Sequence, residues 1–452
     1  EKELAEFYPK DQDGATPIAY LWARTVQCEG PGCGTEVPLI RSLWLAKRSN
    51  RSVALQVLPN RSEKRVDFQI IIKERDCWVD QANPATKIQA PKFDGMVKRG
   101  SATCPCCGYT TPVTRVREQL KARHGGSKDG RLFCTVTSRP GEQGRNYRLP
   151  SPLDLNSARN AGTELDRRTK SNVGPMSLVP DEKLDIRGIR HTWAMIYGLE
   201  TWGDYFTSRQ ALTLTTLARL VREIKPDSLK DGGFIRALKT CLACGVSRQA
   251  DYLSSLTIWS SSGEFIAHTF GRQAVPMVWE WPECQPLAHG SGNWLGAINW
   301  IALTIEALST EFVSTGQVER VSATTHLLAD DSANGFITDP PYYDAVPYAF
   351  LSDYFYVWHR RILKDDHSDL LCNAAVPKDE EIVVDRTHEL SNSTHDIAFY
   401  ERELTKAFTE GRRVLRPDGV GTIVFASKTT TSWEAILKAV VDAGWIVTGS
   451  WP

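Results

Sequence analysis

The sequence predicts a mixed α/β protein in three parts: a cysteine-bearing β region over residues 1–150, a helical segment over 196–315, and the C-terminal half of a parallel α/β sheet over 316–452. A linker or surface loop is expected at 151–195. Three observations support this division. Two cysteine pairs stand at positions 28/33 and 104/107; apolar residues recur at helical spacing between Trp202 and Leu308; and short apolar strands alternate with helices beyond residue 316. The chain carries 54 Lys and Arg against 54 Asp and Glu. That balance removes any global positive field, so a polyanion partner must be argued from local sites. An apolar fraction of 41% with 24% charged residues is that of a globular chain and excludes extensive disorder. No apolar run approaches the roughly 18 residues of a membrane span, and Glu1-Lys2-Glu3-Leu4 is no secretory signal, so a cytosolic protein without a membrane partner is expected. The missing initial Met and the ending at Ser450-Trp451-Pro452 suggest a fragment of a longer protein.

Eleven cysteines are many for a reducing compartment, where close pairs more often hold metal than disulfides. Cys28 and Cys33 are followed by Gly34, and Cys104 and Cys107 by Gly108. A glycine there lets the backbone turn so that amides face the thiolates. Two such knuckles supply the four ligands of a tetrahedral zinc ion. Val53–Leu58 and Val66–Ile72 read as strands joined by a polar turn, which makes the region a zinc ribbon with a long insertion. Cys106 lies within the second knuckle and is an alternative ligand. Cys241 and Cys244 repeat the spacing without a second pair, among Ile235, Leu238 and Leu242 at helical intervals, and read as packed thiols.

Residues 150–190 hold few large apolar groups, which predicts an extended linker. Thr207 or Ser208 caps a helix whose face carries Leu212, Leu214, Leu217 and Val221; a second helix begins near Asn293 and carries Trp294, Ile298, Ile301, Ile305 and Leu308. Seven of the 14 tryptophans lie between Trp193 and Trp300, most of them read as core. In the last stretch, Gly335–Thr338, Gly421–Ala426 and Trp445–Thr448 read as strands, His395–Leu415 and Ser432–Ala443 as helices, and Arg416–Gly419 as a turn. This alternation implies a parallel sheet covered on both faces, with ligands just beyond the carboxyl ends of its strands.

Beyond Thr338 the chain continues as Asp339-Pro340-Pro341-Tyr342. Proline at 340 drives Asp339 out of the helical region, and two fixed φ angles make a stiff, extended loop. Neither proline has an N–H, so the loop presents acceptors: the Asp339 carboxylate and the Pro340 carbonyl. These suit the exocyclic amine of a planar base on which Tyr342 stacks, and they stand ready for positive charge developing on the amine nitrogen.

On these residues the chain resembles the adenine-specific DNA methylases that contain a zinc ribbon, within the S-adenosylmethionine-dependent amino-methyltransferases. The resemblance runs through Leu21–Val26 with the four knuckle cysteines, Trp202-Gly203-Asp204, Gly292-Asn293-Trp294, Asp339–Tyr343, Leu351–Trp358, Pro377-Lys378, Leu415–Gly419 and Phe425–Lys428. It implies a partial class I, Rossmann-like methyltransferase sheet with an inserted zinc ribbon. It further implies N6-methylation of an adenine flipped out of DNA, with Asp339, Pro340, Pro341 and Tyr342 at the base and structural Zn2+ on Cys28, Cys33, Cys104 and Cys107. Flipping costs a few kcal/mol, which stacking on Tyr342 partly offsets. The tetrapeptide alone also occurs in RNA amino-methyltransferases, and a non-catalytic zinc-ribbon module that binds nucleic acid is a third reading. The family's glycine-rich cofactor loop is absent, so an upstream segment or a companion chain is expected to supply it, leaving the fragment itself a poor enzyme. Phe206-Thr207, at the mouth of a capped helix, resembles a segment beside the methionine end of the cofactor, where free N–H groups suit a carboxylate. Around the second knuckle, Lys98 to Arg131 carries a net +6 that would suit phosphates; Lys364 to Glu389 carries −5, with Lys378 and Arg386 as candidate strand contacts.

Overall fold

The computed structural model describes residues 1–452 except 49, 50, 76, 91, 143, 190, 226–230, 312–315, 386–393 and 452. It is a mixed α/β chain with several sheets, divided into two compact units: Glu1–Leu184 with Thr192–Ser309 and Tyr354–Ala375, and Asp185–His191 with Thr310–Asp353 and Val376–Pro452. The ribbon region and the helical segment, read from sequence as separate stretches, therefore share one unit.

In the first unit, an antiparallel sheet runs in the order Asn146–Arg148, Arg131–Ser138, Thr16–Ala23, Glu280–Cys284. Thr16–Ala23 lies inside this sheet and is buried on both faces, so it reads as an almost continuous apolar run. A second sheet is built on the hairpin Arg51–Asn60/Arg65–Glu74, paired from Val53↔Ile72 to Asn60↔Arg65 as the sequence predicts. One edge of Arg65–Glu74 receives both Glu36–Pro38 and Cys77–Asp80.

Thr207 caps the helix Ser208–Arg222, its hydroxyl accepting from the Gln210 N–H. From the first turn Arg209 reaches Glu283 at 2.6 Å, with both side chains fully buried. Its guanidinium lies 4.0 Å from the Tyr20 ring. The helix Trp294–Glu311 forms where its spacing predicts, yet Leu295 and Trp300 are more than 60% exposed.

The expected linker is instead largely the helix Pro152–Lys170. Ser151 and Asp154 form a reciprocal capping box, Pro152 pre-sets the first turn, and Arg148 bridges Asp11 and Asp154. Cys241 and Cys244 lie on the helix Gly232–Tyr252, but Cys241 is half-buried and Cys244 exposed, so the pair is not the packed core expected of it.

In the second unit, Ala333–Thr338 pairs in parallel with Leu415–Ile423. The helices Ile397–Val414 and Thr430–Asp442 cover one face through Tyr400, Leu404, Phe408, Ile436 and Ala439, against which Phe336 and Ile423 pack. The other face leaves Ile337 80% and Val420 69% exposed. Among the described residues of this unit, the predicted sheet is thus one parallel pair covered on one face. The expected turn at Arg416–Gly419 is instead part of the strand Leu415–Ile423, where the register shifts between Ala333↔Leu415 and Gly335↔Val420. The predicted strand Trp445–Thr448 does not form. Trp445 instead turns into the core, donating to the Phe408 carbonyl at 2.9 Å and crowding Gly421, where a Cβ would lie 2.2 Å from its ring.

Candidate functional site

The four knuckle cysteines converge in the first unit. Cys28 follows the strand Thr25–Gln27, and Cys104 follows Ser101–Thr103, so each short strand delivers one knuckle. The chain reverses at Gly32, Gly34 and Gly108, all at positive φ. Gly30 must also be small, since a Cβ there would meet Cys107 Sγ at 3.0 Å and Tyr109 at 2.9 Å. The four sulfurs lie within 4.8 Å of one another, with Cys28–Cys107 at 3.5 Å and Cys33–Cys104 at 3.8 Å. A tetrahedron of sulfurs about 2.3 Å from zinc has edges of about 3.8 Å, so the set fits the ion with little adjustment.

The surroundings favour thiolate at Cys33 and oppose it at Cys28. The Gly30 N–H faces Cys28 Sγ at 3.4 Å, and the Thr35 hydroxyl lies 3.1 Å from Cys33 Sγ. That hydroxyl pulls the Cys33 thiol down to about 6, whereas burial pushes Cys28 up. A cation neutralises this crowding of like groups. Cys106, the alternative ligand, points elsewhere: its sulfur faces the Arg65 carbonyl at 3.7 Å. Thr35 is not distinguishable in the sequence because nothing in its spacing separates it from any strand-edge threonine.

The positive stretch beside the second knuckle is largely engaged within the chain. Arg115 pairs with Glu29 and Glu118, Arg123 with Asp129, and Arg131 with Glu36 and Asp67, while Arg117 lies over Tyr197. Lys128 faces Asp204 at 3.9 Å. Lys98, Arg99 and Lys121 stay exposed, and no ion pair holds them among the described residues.

In the second unit the Asp339 loop leaves the carboxyl end of Ala333–Thr338, where an open α/β sheet places its ligands. Asp339 is exposed, and among the described residues no donor reaches the Pro340 carbonyl. The loop is clamped one residue further on. Tyr400 donates its hydroxyl to the Pro341 carbonyl at 2.8 Å, the Tyr343 N–H bonds the same oxygen at 3.0 Å, and Val384 N–H bonds the Tyr343 carbonyl at 3.0 Å. Tyr343 is held at φ 55°, a turn that costs about 1 kcal/mol and persists only under such clamping. Tyr342 is half-buried, edge-on to Phe425 at 5.3 Å. The neighbouring Asp339 carboxylate holds its phenol above the ordinary value, so the aromatic ring and the acceptor lie side by side. Tyr400 does not stand out in the sequence as a loop support because its spacing to Leu404 and Phe408 is that of an ordinary core position.

Lys378 does not reach outward: its Nζ lies 2.7 Å from Asp353 with both side chains buried, and burial holds the Asp353 carboxyl above its ordinary value against this partner. Arg386 lies outside the described residues. Phe206 and Thr207 belong to the first unit. Phe206 is buried against Tyr354 and Trp358, while the Thr207 hydroxyl accepts from the Gln210 N–H and the Gln210 side chain accepts from the Thr207 N–H. Two of the turn's N–H groups are thus already bonded, so this pair does not fit a cofactor carboxylate. Among the described residues, no helix is long and apolar enough to cross a membrane. No family model matches the chain, and neither a curated protein nor a solved structure matches it.

Proposed function

We propose that the chain carries the target-base half of an S-adenosylmethionine-dependent DNA adenine N6-methyltransferase, braced by a structural zinc ribbon. The observation that carries this reading is the Asp339 loop, with a solvent-facing carboxylate, a carbonyl with no bonded donor among the described residues and an aromatic ring beside them at the end of a parallel strand. An extrahelical adenine presents two N–H donors on one amine and a flat face, which match these groups. Accepting both protons raises electron density on the nitrogen, and the carboxylate then stands beside the positive charge that nitrogen gains on alkylation. Tyr342 stacks on the base.

Phe206 and Thr207 do not fit the methyl donor, since they are committed to packing and capping. The donor's site is expected from a further segment or a companion chain. The same observation favours a second reading, a non-catalytic module that binds nucleic acid.

Labelled methyl transfer to DNA by the chain with its companion segment separates these readings. N6-methyladenine that disappears with Asp339→Ala supports the first; product unaffected by that change overturns it. DNA binding that yields no product and ignores Asp339→Ala supports the second, and product on RNA alone redirects the reading to an RNA amino-methyltransferase.

A further inference from the structure

A cavity of about 560 Å³ opens in the first unit, within the size range of small-molecule sites and far from being a packing void. On its floor lie Leu21 and its cross-strand partner Pro282. Glu280, two residues along the same strand, shares their face by the alternation of a β-strand. Trp259 forms part of the wall, and its ring is fixed: the indole N–H donates to the Leu45 carbonyl at 2.8 Å, and Tyr147 meets it edge-on at 6.3 Å. Arg41 and Arg272 also line the cavity; both are exposed, and neither is in an ion pair among the described residues.

These features are hard to account for as packing. A carboxyl on an apolar floor costs stability, and here burial pushes Glu280 up to about 7 against the opposing pull of Arg41 and the Arg41 and Ser42 amides. A preset indole suits a flat ring. The carboxyl selects a ring with N–H donors at its edge. The two guanidiniums add an anionic group to the same ligand, which excludes a neutral sugar and an apolar molecule alike.

We propose that this cavity binds one nucleotide unit, its base against Trp259, its exocyclic amine on Glu280 and its phosphate on Arg41 and Arg272. The unit comes either from a free nucleoside monophosphate or from one residue of a single strand. This site lies wholly within the first unit and does not depend on the Asp339 reading.

Calorimetric titration of the full chain with AMP, CMP, GMP and TMP, and with short single-stranded oligonucleotides, tests it. The amine-bearing nucleotides are expected to bind in a 1:1 ratio, and TMP, which has no amine, at least tenfold more weakly. Glu280→Gln should cost the amine-bearing ligands about tenfold and abolish their preference over TMP. Arg272→Ala should weaken all four several-fold. Binding confined to oligonucleotides, with the same sensitivity to Glu280→Gln, assigns the unit to a strand. Absence of saturable binding to any of these probes overturns the proposal, as does an undiminished preference in Glu280→Gln with unaltered metal content and circular dichroism.

Discussion

Apart from the buried Lys378–Asp353 pair of the second, the two units use their polar groups in opposite ways. In the first, charge is spent inward: Arg24 is fully buried and donates to the carbonyls of Val278, Gly125 and Ser255; Arg209 is sealed against Glu283; four thiols share one point; and half of the cations from 98 to 131 answer acids of the same chain. In the second, the Asp339 carboxylate faces outward, the Pro340 carbonyl has no bonded donor among the described residues, and a sheet face stays bare. A local excess of charge is therefore a poor guide to a binding surface. The +6 stretch, the strongest electrostatic signal in the sequence, does mostly structural work, while the loop that offers chemistry carries little charge.

Mutations can break this contrast or sharpen it. Cys104→Ser should have the largest effect, emptying the metal site and costing the first unit more than about 5 kcal/mol, as read by elemental analysis and thermal unfolding. Cys106→Ser should retain the metal; loss there would show that the ligand set is wrong. Arg209→Met leaves Glu283 buried without its partner and should cost about 3–5 kcal/mol in denaturant unfolding.

Glu280 gives the first unit a pH signature. Its carboxyl rises from an ordinary 4.5 to about 7 on folding, so the folded chain binds more protons across that window and stability falls as pH rises through it. The fall is at most about 3 kcal/mol, and Glu280→Gln should flatten it in unfolding curves taken between those values. In the second unit, Tyr400→Phe removes one hydrogen bond from the Pro341 carbonyl and should cost about 1 kcal/mol by the same measurement. Asp339→Asn should shift stability by less than about 0.5 kcal/mol while abolishing adenine methylation. A larger loss of stability would mean that this carboxylate also faces inward, and the contrast between the units would fail.

Much of the first unit is legible because its signals are local. Knuckle spacing places four sulfurs, the Val53–Leu58 and Val66–Ile72 runs dictate a hairpin, and Thr207 with Gln210 writes out a helix start. The helix Pro152–Lys170 is obscured by its composition: Leu153 and Leu155 remain more than 40% exposed, and burial falls on Ala161 and Leu165. Its signal is the Ser151-Pro152-x-Asp154 start, a capping box that outweighs a weak apolar stripe. Trp445–Thr448 fails as a strand for the converse reason, since a strand-like run is overruled by one tertiary contact, the Trp445 ring against Gly421. Lys378 reads as an outward cation because its partner, Asp353, is distant in sequence.

The parallel pair that places Asp339 also fixes when it is placed. Ala333 and Leu415 are roughly eighty residues apart in the chain, so their pairing must close a long loop before any ladder bond repays the lost entropy. The helices Ile397–Val414 and Thr430–Asp442 are near neighbours in sequence and bring their own core with them. Loop-closure entropy therefore predicts that the strand pairing, and with it the final position of the loop's carboxylate and carbonyl, forms after the contacts between these helices, which pulse-labelled amide exchange during refolding checks.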